Sequence, residues 1–168
     1  MNVLNLINND LLKSTTTNNL YLNSPFKDII SLPPATKGKR YEQIVDHTMT
    51  RMGYDVQPNQ TAEYDRVING KRVEIKGSSL AADKNFKFHQ IRLNDDYDQL
   101  LLICFWPLDC RMFILEKDDI SKSKMVTNDH GGDRWESGMI KLIGNPANCE
   151  YCQEVGSLVE SPVKGVLV

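Results

Sequence analysis

A two-residue turn at Asn69-Gly70 constrains the fold of this chain more than any other feature of its sequence. It separates two short β-prone runs, Tyr64–Ile68 and Lys71–Lys76. Asn-Gly is favoured at such a place because both central residues of the tight hairpin turn need φ > 0. The predicted register pairs residues across the turn: Ile68 with Lys71, Val67 with Arg72, Arg66 with Val73, and Asp65 with Glu74.

The two faces of this predicted hairpin differ in chemistry, because side chains alternate across a strand. One face is expected to cover a core, and it carries Tyr64, Arg66, Ile68, Val73 and Ile75. The other face is too polar to cover one, and it carries Glu63, Asp65, Val67, Arg72, Glu74 and Lys76. The hairpin is therefore expected to lie over a core on one side only.

Two carboxylates, those of Asp65 and Glu74, oppose each other on the polar face. Directly opposed side chains have Cβ atoms about 5 Å apart, and like charges so placed destabilise a sheet. A divalent cation between them removes the repulsion, and carboxylate oxygens suit Mg²⁺. Lys76 follows Glu74 by two residues on the same face, within reach of a water nucleophile or a phosphate oxygen. The plainer alternative is an exposed hairpin face with a ladder of charges.

This Asp-x8-Glu-x-Lys arrangement resembles the active site of the PD-(D/E)XK nuclease superfamily, which includes most type II restriction endonucleases. The resemblance covers residues 36–124 and implies an α/β fold, a restriction-endonuclease-like core with a mixed central β-sheet flanked by helices. It adds Glu42, on the first core helix, and Gln90, shortly after the Glu-x-Lys strand, as further catalytic residues. The sequence departs from the family pattern at Tyr64, where proline often precedes the aspartate.

Hydrophobic periodicity places the other elements. A helix is predicted over Thr36–Met52, with Thr36 as N-cap and Gly53 as the stop, because a core-facing stripe recurs at helical spacing: Tyr41, Ile44, Val45, Thr48, Met49 and Met52. A short N-terminal helix is predicted over residues 3–12. Strands are predicted over residues 54–58, Phe86–Arg92 (where a short helix is also possible), Leu100–Trp106, Arg111–Glu116 and Met139–Ile143, and a second core helix over Glu116–Lys124. The 168 residues are expected to form a single nuclease domain: an N-terminal arm (1–35), a catalytic core (36–124) and a loop-rich C-terminal extension (125–168).

Basic residues concentrate around the candidate site. Residues 37–92 hold 11 basic and 7 acidic side chains, whereas residues 93–168 hold 7 basic and 13 acidic ones. A phosphate backbone is expected to approach the basic part. Phosphate contacts are predicted at Lys37, Lys39 and Arg40, and further DNA contacts in two stretches, Ser78–Arg92 and Asn128–Trp135, at Ser78, Ser79, Lys84, Lys87, His89, Arg92 and Arg134.

Other features exclude several classes of protein. No segment is long and apolar enough to span a membrane, and the N-terminal residues lack the basic region and apolar region typical of a secretory signal, so a cytoplasmic location is expected. Cys149-x2-Cys152 could be half of a zinc site, but no second pair has matching spacing, which favours reduced thiols.

The functional prediction is a type II site-specific endonuclease that hydrolyses double-stranded DNA with Mg²⁺, for which Mn²⁺ is an expected substitute. Asp65, Glu74 and the carbonyl of Ile75 are the predicted metal ligands, and Lys76 polarises the water. A palindromic site is met naturally by a homodimer, and a cognate DNA methyltransferase is a possible companion. Two alternatives stay open: a Holliday-junction-resolving or repair nuclease of the same fold, and a catalytically silent DNA-binding module.

Overall fold

The computed structural model describes residues 20–127 and 138–157 of the chain. Within these ranges two α-helices precede nine strands: α1 (Lys27–Ile30), α2 (Pro34–Arg51), β1 (Val56–Pro58), β2 (Arg66–Ile68), β3 (Lys71–Ser79), β4 (Phe86–Arg92), β5 (Gln99–Phe105), β6 (Cys110–Glu116), β7 (Val126–Thr127), β8 (Met139–Gly144) and β9 (Cys152–Ser157). The predicted helix over residues 3–12, the loop Asn128–Trp135 and Arg134 lie outside the described residues. None of the described helices is long and apolar enough to cross a membrane.

A six-stranded sheet in the order β1-β2-β3-β5-β6-β9 forms the centre of the described structure. β3 and β5 are parallel, and their neighbours pair antiparallel, so the sheet is mixed. The buried strand predicted at Leu100–Trp106 is β5, whose residues from Leu100 onward are all buried. Strands that pair in parallel are usually covered on both faces of the sheet, so apolar side chains suit both faces of β5.

The β2–β3 hairpin has the predicted register as far as it extends. Ile68 pairs with Lys71 and Arg66 with Val73, and both turn residues have positive φ. The ladder stops there, so the predicted pairing of Asp65 with Glu74 is wrong. The backbone N–H of Asp65 instead donates to the carbonyl of Val73 at 3.0 Å. This bond offsets the chain just before β2 by one residue relative to β3.

Helix α2 covers one face of the sheet. It begins at Pro34 rather than at the predicted Thr36, with Pro33 in the N-cap position. Proline suits the first turn because its fixed φ is already helical and its missing N–H has no partner there anyway. The buried positions follow the predicted stripe and contact β3 and β5; they include Tyr41, Val45 and Met49.

The opposite face holds a second core, which the sequence did not predict. A three-stranded sheet in the order β4-β8-β7 packs there against Leu100, Leu102 and Cys104 of β5. Tyr64 lies in this core and not with Ile68 and Val73 as expected, because the strand offset at Asp65 turns it to the other side.

The helix predicted over Glu116–Lys124 is a 3₁₀ helix over Lys117–Lys122. It packs Ile120 into the second core. The mixed central sheet of an α/β fold is therefore flanked by helices, as expected, with an additional small sheet on the side of the 3₁₀ helix.

Strand β4 carries a bulge at His89-Gln90. Phe86, Phe88 and Ile91 are buried, so the alternation skips one residue after Phe88. Gln90 has φ +56° and is exposed with His89. In a regular strand over Phe86–Arg92, Gln90 is expected to share the face of Phe86 and Phe88; this expectation is wrong, because the bulge turns His89 and Gln90 outward. Bulges of this kind often re-aim side chains beside active sites.

Candidate active site

A cleft of about 390 Å³ opens between the first turns of α2, the middle of β3 and the bulge of β4. Its walls include four of the five predicted catalytic residues: Glu42, Asp65, Lys76 and Gln90. Ile75 also lines the cleft, whereas Glu74 does not. The remaining lining residues are Pro34, Lys37, Gly38, Tyr41, Gly77, Lys87 and His89.

The Asp65 carboxylate is held against the middle of β3. Its Oδ2 atom accepts a hydrogen bond from the backbone N–H of Ile75 at 2.7 Å. This contact exists because the β2–β3 ladder ends at Arg66, which frees β3 at this point for a side chain. Asp65 thus reaches the strand segment that carries Glu74 and Lys76 despite the missing ladder pair.

Glu74 and Lys76 form an ion pair on one face of β3, with Oε1 and Nζ 2.7 Å apart. Their side chains are 15% and 24% exposed. Burial raises the pKa of Glu74 above its ordinary value, and the negative charges of Asp65 and Asp95 raise it further, while the Lys76 ammonium opposes them. The charge of Asp65 therefore acts on Glu74, although the two residues are not a ladder pair.

Arg66 connects Glu42 to the strand that carries Asp65. Its Nη1 donates to Glu42 Oε2 at 3.1 Å and to the carbonyl of Asp65 at 2.6 Å. Its Nε and Nη2 donate to both carboxylate oxygens of Asp46, at 2.7 and 2.8 Å. Burial, followed by the charge of Asp65, raises the pKa of Glu42, and Arg66 counteracts this rise.

Arg66 is not among the predicted site residues, although the sequence contains a signal for its role. An arginine on an otherwise apolar face needs a partner. Glu42 and Asp46 lie four residues apart on the helix that covers that face. Residues at this spacing share one side of a helix.

Three of the predicted DNA contacts line the cleft: Lys37, Lys87 and His89. Burial lowers the pKa of Lys37. Burial also lowers the pKa of His89, helped by the positive charges of Lys141 and Lys87. Lys87 forms an ion pair with Asp83 at 3.0 Å. Lys37 and Lys87 therefore bring two ammonium groups, and His89 an imidazole, to the cleft that holds the carboxylates.

The other described candidates for DNA contact lie outside the cleft. They are Lys39, Arg40, Ser78, Ser79, Lys84 and Arg92. Ser78 is buried, and its Oγ accepts a hydrogen bond from the backbone N–H of Lys87 at 2.9 Å. This hydroxyl joins β3 to β4, and a contact of Ser78 with DNA stays a prediction.

Tyr41 and Gly77 form part of the cleft wall together. The Tyr41 ring stacks on Phe105 with centroids 5.3 Å apart. A Cβ atom at Gly77 would overlap the Tyr41 ring. The glycine that follows Lys76 is therefore required by the close approach of helix α2 to β3, a requirement that the sequence pattern did not reveal.

The donor set fits a magnesium ion better than a transition metal. Among residues 20–127 and 138–157, no group of three or more His, Cys, Asp or Glu side chains is arranged to hold a metal ion. Asp65 and Glu74 offer hard oxygen atoms beside the backbone of Ile75. Mg²⁺ is commonly bound by one or two carboxylates, with water and substrate phosphate completing its shell. Over the same ranges the cysteines, including Cys149 and Cys152, are free thiols.

Comparisons with known proteins add little to this geometry. No family model matches the sequence, and no curated protein matches it. Among solved structures, the fold is similar to a bacterial homing endonuclease, I-Ssp6803I, with a TM-score of 0.43 and 15% sequence identity; the match covers 66% of this chain and 74% of that chain. A likeness this slight carries no argument about function, so the resemblance to the PD-(D/E)XK superfamily stays a prediction from the motif.

Proposed function

We propose that this protein is a Mg²⁺-dependent endonuclease that cuts double-stranded DNA at specific sites, a type II restriction endonuclease with a restriction-endonuclease-like core. The observation that carries the proposal is the convergence of Asp65, Lys76, Glu42 and Gln90 on one cleft, with Glu74 in contact with Lys76. These residues come from α2, the hairpin and the bulge of β4. Their convergence favours a reaction centre over the alternative of a charged ladder on an exposed hairpin.

Phosphodiester hydrolysis needs an activated water and stabilisation of the charge that develops on phosphate oxygens. Asp65, Glu74 and the carbonyl of Ile75 would hold the Mg²⁺ ion, which, when bound, supplies an acidified water and shields the phosphate. The Asp65 carboxylate is already oriented for this role by the N–H of Ile75.

Lys76 and Gln90 would act on the reacting atoms directly. Lys76 forms an ion pair with Glu74 and also lines the cleft. Rotation of its flexible side chain would bring it to a phosphate oxygen or to the attacking water. Gln90, turned outward by the bulge, would orient that water through its amide. Glu42, fixed by Arg66 at 3.1 Å, would accept a hydrogen bond from a second water.

The lysine ammonium groups and the His89 imidazole that line the cleft would bind the phosphate groups of the DNA strand. Lys37, Lys87 and His89 line the same walls as Lys76, so a strand whose scissile phosphate reaches Lys76 passes beside all three. Contacts of this type fix the position of DNA but do not read its sequence. We further propose a homodimer, because a two-fold dimer matches a palindromic site, and a methyltransferase that protects the host site.

A digest of unmethylated phage DNA tests the proposed function. The native protein should produce discrete fragments with Mg²⁺ or Mn²⁺ and none with Ca²⁺. Lys76→Ala should abolish cutting, whereas the matched variant Lys71→Ala, an exposed lysine at the hairpin turn on the same strand, should cut as the native protein does.

The other results separate the alternatives. A smear with the same requirements would replace site-specific cutting by repair-type or non-specific cutting. Cleavage of branched DNA alone would indicate a junction-resolving enzyme. No cleavage of either substrate would contradict the proposal and favour a DNA-binding module.

A further inference from the structure

The hydroxyl of Tyr97 is a buried polar group without a partner. The side chain is 3% exposed, and its Oη atom makes no hydrogen bond with any described residue. A buried hydroxyl without a hydrogen bond destabilises a fold, so such groups usually have a purpose or a missing partner. The Oγ1 atom of Thr48 on helix α2 is a second example.

Tyr97 is fixed on the face of the sheet that carries Glu74. It packs in the second core beside Leu100, which pairs with Glu74 in the β3–β5 ladder. The next residue, Asp98, is clamped to β3, because its backbone N–H donates to the carbonyl of Arg72 and its carboxylate accepts from the Arg72 N–H, each at 2.9 Å. Arg72 precedes Glu74 by two residues.

Lys117 lies over the ring of Tyr97. Its ammonium lies 4.6 Å from the ring centroid and donates to the carbonyl of Asp95 at 2.5 Å. A cation over an aromatic face stabilises the arrangement. The ring is therefore held by core packing, by the Asp98 clamp and by Lys117, so its hydroxyl has little freedom to seek another acceptor.

Glu74 is the nearby acceptor that belongs to the candidate site. Burial, followed by the negative charges of Glu74 and Asp95, raises the pKa of the Tyr97 hydroxyl. In the structure Glu74 is bound through Oε1 to Lys76. A carboxylate accepts about four hydrogen bonds through its two oxygens, so Glu74 has the capacity for a further donor.

We propose that Tyr97 is a positioning residue for Glu74: its hydroxyl donates a hydrogen bond to the Glu74 carboxylate when Lys76 turns to the DNA phosphate, and it thereby keeps the carboxylate oriented for a divalent cation. This inference rests on the proposed function, because it requires Glu74 to be a metal ligand. Partners that orient a ligand through hydrogen bonds typically change metal affinity about 10–100-fold when they are removed.

The test measures Mn²⁺ binding to the full chain without DNA, from the loss of the free Mn²⁺ signal in electron paramagnetic resonance. Tyr97→Phe removes the hydroxyl and keeps the ring, so Mn²⁺ binding should weaken by about tenfold or more. The matched control is Thr48→Val, which removes the other unpartnered buried hydroxyl, on the helix side of the sheet; its Mn²⁺ affinity should equal that of the native protein.

A second measurement separates this role from a purely structural one. Loss of an unpartnered hydroxyl should leave the midpoint of thermal unfolding of Tyr97→Phe unchanged or higher, even though Mn²⁺ binding weakens. A fall in the unfolding midpoint of Tyr97→Phe together with the weaker Mn²⁺ binding would show that the hydroxyl acts through the stability of the fold, and this result would overturn the proposal.

The outcomes also distinguish this inference from the proposed function. If the native protein binds Mn²⁺ and cuts DNA while Tyr97→Phe binds Mn²⁺ equally well, the positioning role is wrong and the nuclease proposal stands. If the native protein neither binds Mn²⁺ nor cuts DNA, both are wrong.

Discussion

Replacement of Arg66 by methionine should destabilise the protein in a pH-dependent way. The methionine keeps the length of the side chain but removes the charge that joins β2 to Glu42 and Asp46 on helix α2. The carboxylates of Glu42, in the wall of the cleft, and of Asp46, one turn further along α2, would then lie side by side without a cation between them.

The size of the effect follows from the exposure of these groups. Arg66 is 17% exposed, but Glu42 and Asp46 are 31% and 36% exposed. The partial burial of Arg66 places each ion pair near the upper end of the range for surface pairs, about 0.5–1 kcal/mol. Solvent screening at the more exposed carboxylates keeps the energy within that range. Two pairs give about 1–2 kcal/mol, which lowers the midpoint of thermal unfolding by about 2–8 °C for a chain of this size.

The sign of the pH dependence follows from Glu42. Its pKa in the folded protein is already raised, with burial as the largest cause, and Arg66 limits the rise. Without Arg66 the folded-state pKa rises further above the unfolded value. A group with a raised pKa stabilises the fold below its unfolded pKa, and this stability is lost as the pH rises through the folded value. Arg66→Met should therefore cost more at pH 7 than at pH 4.

The loss of stability is measured as the change in the midpoint of thermal unfolding, followed by circular dichroism at pH 4 and at pH 7. Arg92→Met is the matched control, because Arg92 is 59% exposed and lies 3.9 Å from its partner Asp95; the change should stay within about 0.5 kcal/mol of the native protein. A loss below 1 °C for Arg66→Met at pH 7, or a larger loss at pH 4, would refute the reasoning.

Two further predictions concern the walls of the cleft. Lys37→Ala should weaken binding to duplex DNA without changing the preferred sequence and should reduce the slope of log affinity against log salt by about 1, as measured by fluorescence anisotropy. An effect no larger than that of Lys71→Ala, an exposed lysine at the hairpin turn, would contradict a phosphate contact. Gly77→Ala should destabilise the fold by about 1–3 kcal/mol in urea unfolding, because the added Cβ would overlap Tyr41. The control Gly38→Ala, with nothing within 4 Å of the added Cβ, should leave the unfolding midpoint equal or higher. Native stability of Gly77→Ala would contradict the close approach of α2 to β3.

Local signals in the sequence predicted the hairpin and the central strands well. The Asn69-Gly70 turn determines its own register, because φ > 0 at both positions leaves few alternatives, and the apolar run of β5 has no polar residue to interrupt it. The stripe of α2 likewise identified Tyr41, Val45 and Met49 as buried. Features that depend on residues close together in the sequence could therefore be predicted.

Features that depend on distant segments were not accessible. The second sheet joins β4 to β8 across the whole of β5 and β6, and its bulge at Gln90 depends on that pairing. The offset at Asp65 exists because its carboxylate reaches the N–H of Ile75, a contact that a regular ladder does not contain. The role of Arg66 depended on which face of α2 met the hairpin.

The most direct test of the central claim compares the native protein with Asp65→Asn, which removes the charge of the cleft carboxylate and keeps its shape. Asp55→Asn is the control, because Asp55 is exposed and lies outside the cleft. With Mg²⁺ and unmethylated duplex DNA, the native protein and Asp55→Asn should give the same discrete fragments, and Asp65→Asn should bind that DNA without cutting it. Cleavage by Asp65→Asn at the native rate would contradict the assignment of this cleft as a nuclease site.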